Sequence, residues 1–87
     1  MVRIGAGLKE ARENQDISLL QVEEATKINR RYLEALEADE FQELPGSVYA
    51  VGFLKNYARF LGFSPDEISL MVDRMKENMG VDVTKPI

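Results

Sequence analysis

Eighty-seven residues, 45% apolar and 30% charged, suit one small folded domain with a single modest core and leave no length for a second. The formal net charge is −4, the opposite of the balance expected of a protein whose main task is gripping phosphates. Histidine and cysteine are both absent, which excludes disulfides, thiolate nucleophiles, imidazole bases, the usual soft metal sites such as zinc fingers, and redox centres. No apolar run approaches the roughly 20 residues of a membrane span, and the N-terminus lacks the layout of a signal peptide. The chain as it stands reads as soluble, and the lack of cysteine fits the cytosol.

Five helices are predicted. Residues 4–14 place Ile4, Leu8 and Ala11 at helical spacing, with Lys9, Glu10, Arg12 and Glu13 around the remainder. The polar run Asn14-Gln15-Asp16 then turns the chain. Ser18 followed by Gln21 is a capping-box pattern, so a second helix starts there and runs to Thr26, with apolar positions Leu19, Leu20, Val22 and Ala25. Asn29 is the expected N-cap of a third helix, Arg30 to Asp39, with Tyr32, Leu33 and Leu36 facing inward. Leu44-Pro45-Gly46 breaks the pattern and is the one clear internal loop. Ser47 is expected to cap a long fourth helix that ends near Leu61, with Gly62 as its stop. Ser64-Pro65-Asp66-Glu67 combines an N-cap, a proline at the first helical position and a capping-box partner. A fifth helix follows to Asn78, ended by Gly80. Residues 81–87 read as a flexible tail or the start of a linker, which leaves 1–80 as the domain. With no strand pattern or internal repeat, the fold class is all-α, a five-helix bundle.

Two chemical readings fail on the residues. Gly5-Ala6-Gly7 opens a helix as a phosphate-cradling loop would, but Glu10 falls at the last glycine position and too few residues precede it for a strand. A carboxylate there repels a pyrophosphate, so a flexible helix start is the plainer reading. For catalysis, Glu23, Glu24, Glu34, Glu37 and Glu40 read as solvated helix faces. Ser18, Ser47 and Ser64 stand where caps are needed, with no base to activate them. No enzyme activity, cofactor or metal is expected.

Two short helices joined by Thr26-Lys27-Ile28-Asn29 match the spacing of a DNA-reading helix-turn-helix. In that geometry Lys27, Arg30 and Arg31 are the candidate DNA-binding residues, and the outer face of the third helix contains Arg30, Arg31, Glu34, Glu37 and Ala38. Arg30 and Glu34, four apart, are expected to pair. From Glu23 to Glu43 the chain carries three basic and seven acidic residues, a local balance of −4. Phosphate affinity comes from basic residues, so shape argues for duplex DNA and charge against it. A module acting on RNA finds no aromatic platform or basic strip.

The fourth helix is the more informative. Turned at ~100° per residue, it places Ala50, Leu54, Tyr57 and Leu61 in one core stripe. Tyr49, Phe53 and Phe60 form a neighbouring stripe roughly 80–100° away, and the whole apolar arc, with Val51 and Ala58 at its far edge, covers about 200°. Gly52, Lys55, Asn56 and Arg59 make the polar side. Either the first or fifth helix covers the second stripe, making this helix central, or Tyr49 and Phe53 stay open for a protein partner. Phe60 fits core and interface equally.

Three stretches together carry a family resemblance: I-G-A-G-L-K-E-A-R-E at 4–13, S-L-L-Q-V-E-E-A-T-K-I-N-R-R-Y-L-E-A-L-E at 18–37, and L-P-G-S-V-Y-A-V-G-F-L-K-N-Y-A-R-F-L-G at 44–62. Over about residues 4–68 the chain resembles the N-terminal cytoplasmic domain of the RodZ family of bacterial cell-shape proteins, with its degenerate helix-turn-helix of the phage-repressor (XRE-like) type. The Y-x-x-G-F-L-x-x-Y-A helix is the discriminating part, because ordinary repressors lack it. The resemblance implies a domain on the cytoplasmic side of the cell membrane, followed beyond residue 87 by a basic linker, a membrane helix and an extracytoplasmic portion. It implies an adaptor that binds the actin-like filament protein MreB largely through the fourth helix and couples it to wall elongation in rod-shape determination. By position, Tyr49 and Phe53 are then the partner-contacting aromatics and Tyr57 a core residue; around the aromatic pair a charged rim that includes Asn56 and Arg59 is expected. Nucleic acid is not expected as a partner, duplex DNA being the alternative. Val51 stands where family members often carry Arg, so any salt bridge made by that Arg is absent here.

Overall fold

The computed structural model describes residues 4–79, which form five α-helices and one 3-10 turn. In chain order these are α1 (Ile4–Asn14), α2 (Leu19–Thr26), α3 (Arg30–Glu37), the 3-10 turn (Phe41–Glu43), α4 (Ser47–Leu61) and α5 (Pro65–Met79). The expected stop at Gly80 and the tail 81–87 lie outside the described residues, as do residues 1–3 at the start of the domain taken as 1–80.

Local chemistry sets most of the boundaries. The Ser18 hydroxyl accepts the Gln21 N–H at 3.1 Å while the Gln21 side chain accepts the Ser18 N–H at 2.8 Å, a complete capping box. Ser64 and Glu67 repeat the arrangement at α5, at 3.2 and 2.8 Å. The Asn29 side chain accepts the Arg31 N–H at 2.8 Å and opens α3. Gly62, at φ 98°, closes α4 in the left-handed conformation that glycine adopts without strain.

Two boundaries differ from the sequence reading. α4 begins at Ser47 itself, with Gly46 in the cap position and no side-chain cap, so Ser47 is not the N-cap. α3 ends at Glu37 rather than near Asp39, because Asp39 turns left-handed at φ 59° and the Glu40 N–H reaches back to the Ala35 carbonyl at 2.9 Å. That early stop leaves room for the 3-10 turn, which the sequence reading did not separate from the loop and which buries Phe41.

The core is one cluster fed by every element. Leu8 from α1, Val22 from α2, Leu33 and Leu36 from α3, Leu54 and Tyr57 from α4 and Met75 from α5 are fully buried. Each such aliphatic side chain contributes about 2 kcal/mol through the water it sheds. Of the apolar positions expected in α2, only Val22 is fully buried, while Leu20 and Ala25 are exposed. α4 packs against α1, α2, α3 and α5, and is the central helix.

Candidate functional site

Being central does not bury all of α4. The expected core stripe is in place, with Ala50, Leu54 and Tyr57 wholly buried and Leu61 nearly so. The second stripe is not covered by α1 or α5. Tyr49 is 61% exposed, Val48 beside it 81%, and Phe60 38%. Phe53 is half-buried and holds the stripe together: its ring stacks on Tyr32 of α3 at 5.5 Å and 18°, and Tyr49 tilts over it at 6.2 Å and 39°. Three rings from two helices thus form a graded surface, anchored at Tyr32 and open at Tyr49.

Asn56 and Arg59 are exposed on α4, and with Phe60 they line a shallow depression against Ala25 and Thr26 at the end of α2. The Thr26 hydroxyl is committed elsewhere, donating to the Val22 carbonyl at 2.7 Å and accepting the Ile28 N–H at 3.3 Å. The four residues expected at the partner site share one side of α4, and two of them, Asn56 and Arg59, line the depression.

α1, α3 and α4 also meet at a polar junction that the sequence reading assigned differently. Glu37 is not a solvated residue on the outer face of α3: its side chain is 8% exposed. Arg12 of α1 holds it through Nε at 2.7 Å and a second guanidinium nitrogen at 3.2 Å, and a third Arg12 nitrogen donates to the Ile17 carbonyl at 2.9 Å. From the other side the Tyr57 hydroxyl donates to the same carboxylate. Burial, then the adjacent carboxylate, pushes the Tyr57 hydroxyl pKa far above its ordinary value, and the hydrogen bond that Arg12 donates to Glu37 raises the pKa of Arg12. One carboxylate thereby ties α1, α3 and α4 together and keeps Tyr57 in the core.

The candidate DNA-reading residues lie where α2 ends and α3 begins. Lys27 caps α2 in the left-handed conformation, φ 64°, its N–H donating to the Glu23 carbonyl at 2.8 Å. Arg30 and Arg31 are exposed. The expected Arg30–Glu34 ion pair is not among those of the described residues. Instead the Glu23 carboxylate accepts the Arg30 backbone N–H at 3.0 Å, placing a negative charge at the N-terminus of α3.

Residues 7–68 match the family described as "Helix-turn-helix domain". The chain belongs to that family. Two relatives are similar to this helix-turn-helix domain over most of its length. It is 47% identical over 55 residues to the cytoskeleton protein RodZ of Streptococcus pneumoniae (strain ATCC BAA-255 / R6), covering 63% of this chain and 20% of that protein. It is 40% identical over 52 residues to the uncharacterized membrane protein YmfM of Bacillus subtilis (strain 168), covering 60% of this chain and 18% of that protein. The chain therefore spans about a fifth of the length of the relatives it matches. No solved structure matches it. Among the described residues of the helix-turn-helix domain, no helix is long and apolar enough to cross a membrane.

Tyr32 is the residue of this surface that sequence reasoning missed. Its place among Leu33 and Leu36 marked it as inward-facing, and helix pitch cannot tell which neighbouring helix an inward ring will meet. Glu37 was missed for a related reason: only the arrival of Arg12 and Tyr57 from two other helices encloses its carboxylate.

Proposed function

We propose that this helix-turn-helix domain is a non-catalytic adaptor that docks on an actin-like filament protein of the MreB type. In that reading α4 offers Tyr49 and Phe53 as the anchor, with Asn56 and Arg59 as a polar rim. The full protein would hold the domain on the cytoplasmic side of the cell membrane and link filaments to wall elongation and rod shape. What carries the reading is the open ring surface: a tyrosine 61% exposed, packed on a phenylalanine that is itself backed by a second helix. Large, rigid rings on firm support lose little entropy on docking. The similarity to a relative named as a cytoskeleton protein points the same way, and the relative named as a membrane protein fits an anchor outside this chain.

Duplex binding through Lys27, Arg30 and Arg31 is the weaker reading. A net charge of −4 opposes it, and so does the Glu23 carboxylate seated at the helix end that would approach a phosphate.

Co-sedimentation with filaments tests the adaptor directly. Tyr49→Ala should weaken binding by about 1–3 kcal/mol without unfolding the domain. Phe53→Ala should weaken it too, with some loss of stability because its stack on Tyr32 goes with it. Undiminished pelleting of a folded double variant would overturn the site. A parallel titration with mixed duplex DNA at low salt checks the alternative, which requires binding that weakens when Arg30 or Arg31 becomes Ala.

A further inference from the structure

Two glycines open α1, and the fold of the chain accounts for one of them. Gly5 lies against the end of α3, where a Cβ would come within 2.7 Å of the Leu36 carbonyl oxygen. Gly7 is different. A Cβ there would meet nothing within 4 Å, so internal packing gives no reason for a residue that weakens a helix interior. Gly7 forms part of an apolar groove between α1 and α5, about 250 Å³ in volume, with Ile4, Phe63 and Met71. Leu70, 65% exposed, also lines it, and Glu67 and Arg74 complete the lining with opposite charges.

The α5 residues of this groove read the same in both directions. Glu67, Leu70, Met71 and Arg74 fall at i, i+3, i+4 and i+7, on one side of the helix. Two α5 helices laid antiparallel about a two-fold axis between Leu70 and Met71 bring Glu67 of one copy to Arg74 of the other, twice. They also bring Leu70 of each copy to Met71 of the other, over a groove whose α1 wall is bare at Gly7. Such a surface is complementary to itself, as an isologous contact requires. The charges are available for it: Arg74 forms no ion pair among the described residues, and Glu67 uses one carboxylate oxygen, Oε1, to cap Ser64.

We propose that the α1–α5 groove is a self-association surface that pairs two copies of this domain through antiparallel α5 helices. One helix pair buries less than the roughly 800 Å² per partner of a standard interface, so the pairing is weak and concentration-dependent. The groove shares no residue with the α4 ring surface. A paired domain therefore presents two docking faces, and tethering copies side by side converts a weak pairing into an effective one.

Sedimentation equilibrium of the 87-residue chain, up to millimolar concentration, tests this. The expected result is a mass that rises toward twice the monomer, with association weakened at least about tenfold by Arg74→Glu or Leu70→Glu and restored when Glu67→Lys is combined with Arg74→Glu. Gly7→Ala should raise the melting temperature of dilute protein, through helix propensity, while weakening association. A monomeric mass at every concentration would overturn the proposal. So would association indifferent to both Arg74→Glu and Leu70→Glu. A monomer whose melting temperature falls on Leu70→Glu would give the groove to the chain's own terminal residues instead.

Discussion

Tyr57 and Tyr49 stand on the same helix two turns apart, and their surroundings have almost nothing in common. Tyr57 is wholly buried, and its hydroxyl is bound to a carboxylate that an arginine from a third helix neutralises. Tyr49 is 61% exposed, and the neighbour that shapes it is one aromatic ring. Where α1 and α3 close over α4, an aromatic becomes a structural part. On the first turns of the helix, the same residue type remains open to solvent. Side-chain chemistry does not separate the two roles; the number of helices that reach each position does.

The largest test of this contrast strikes the closed region. Glu37→Leu leaves the Arg12 guanidinium largely buried without its anion and the Tyr57 hydroxyl without its acceptor, so the domain should lose about 3 kcal/mol in urea unfolding. Gly5→Ala should follow at about 2 kcal/mol, because the new methyl overlaps the carbonyls of Leu36 and Glu37 and pushes α1 off α3. Tyr57→Phe keeps the ring and removes one hydrogen bond to a charged group, for a loss of about 1.5 kcal/mol.

Tyr57 also makes a pH prediction. Its pKa in the folded chain is raised above the ordinary 10.0, so the neutral hydroxyl is favoured in the fold. That contribution is fully present below the unfolded value and is lost as pH rises from there toward the folded one. Melting temperature should fall above pH 10 more steeply in the wild type than in Tyr57→Phe. At the open end, Tyr49→Ala should change stability by less than about 0.5 kcal/mol while it weakens filament binding. A Tyr49 variant less stable than Tyr57→Phe would break the contrast.

Much of the open surface was legible without coordinates. Tyr49, Phe53 and Phe60 were separated from the core stripe by helix pitch, and their exposure at one end follows the arc they occupy. What pitch left undecided was whether α1 or α5 covers that arc, since the approach of another helix is not encoded in the local repeat. Phe60, left open between core and interface, is 38% exposed beside Arg59 and Asn56. The closed region was barely legible: Glu37 has the spacing of a surface acid, and Gly5-Ala6-Gly7 that of a loose helix start.

By itself the sequence determined the five helices, most of their caps and the residues of the core stripe. Those features rest on bonds and spacings of three to four residues, such as Ser18 to Gln21 and Ser64 to Glu67, and so are written in contiguous segments. The tertiary structure decided which acidic side chain is enclosed, which glycine lies against a neighbouring helix and which aromatic faces outward. The Arg12–Glu37 pair joins residues 25 apart, and the Gly5 N–H donates to the Asp39 carboxylate across 34. Such contacts exist only after α1 has packed against α3, which is why no local pattern announces them.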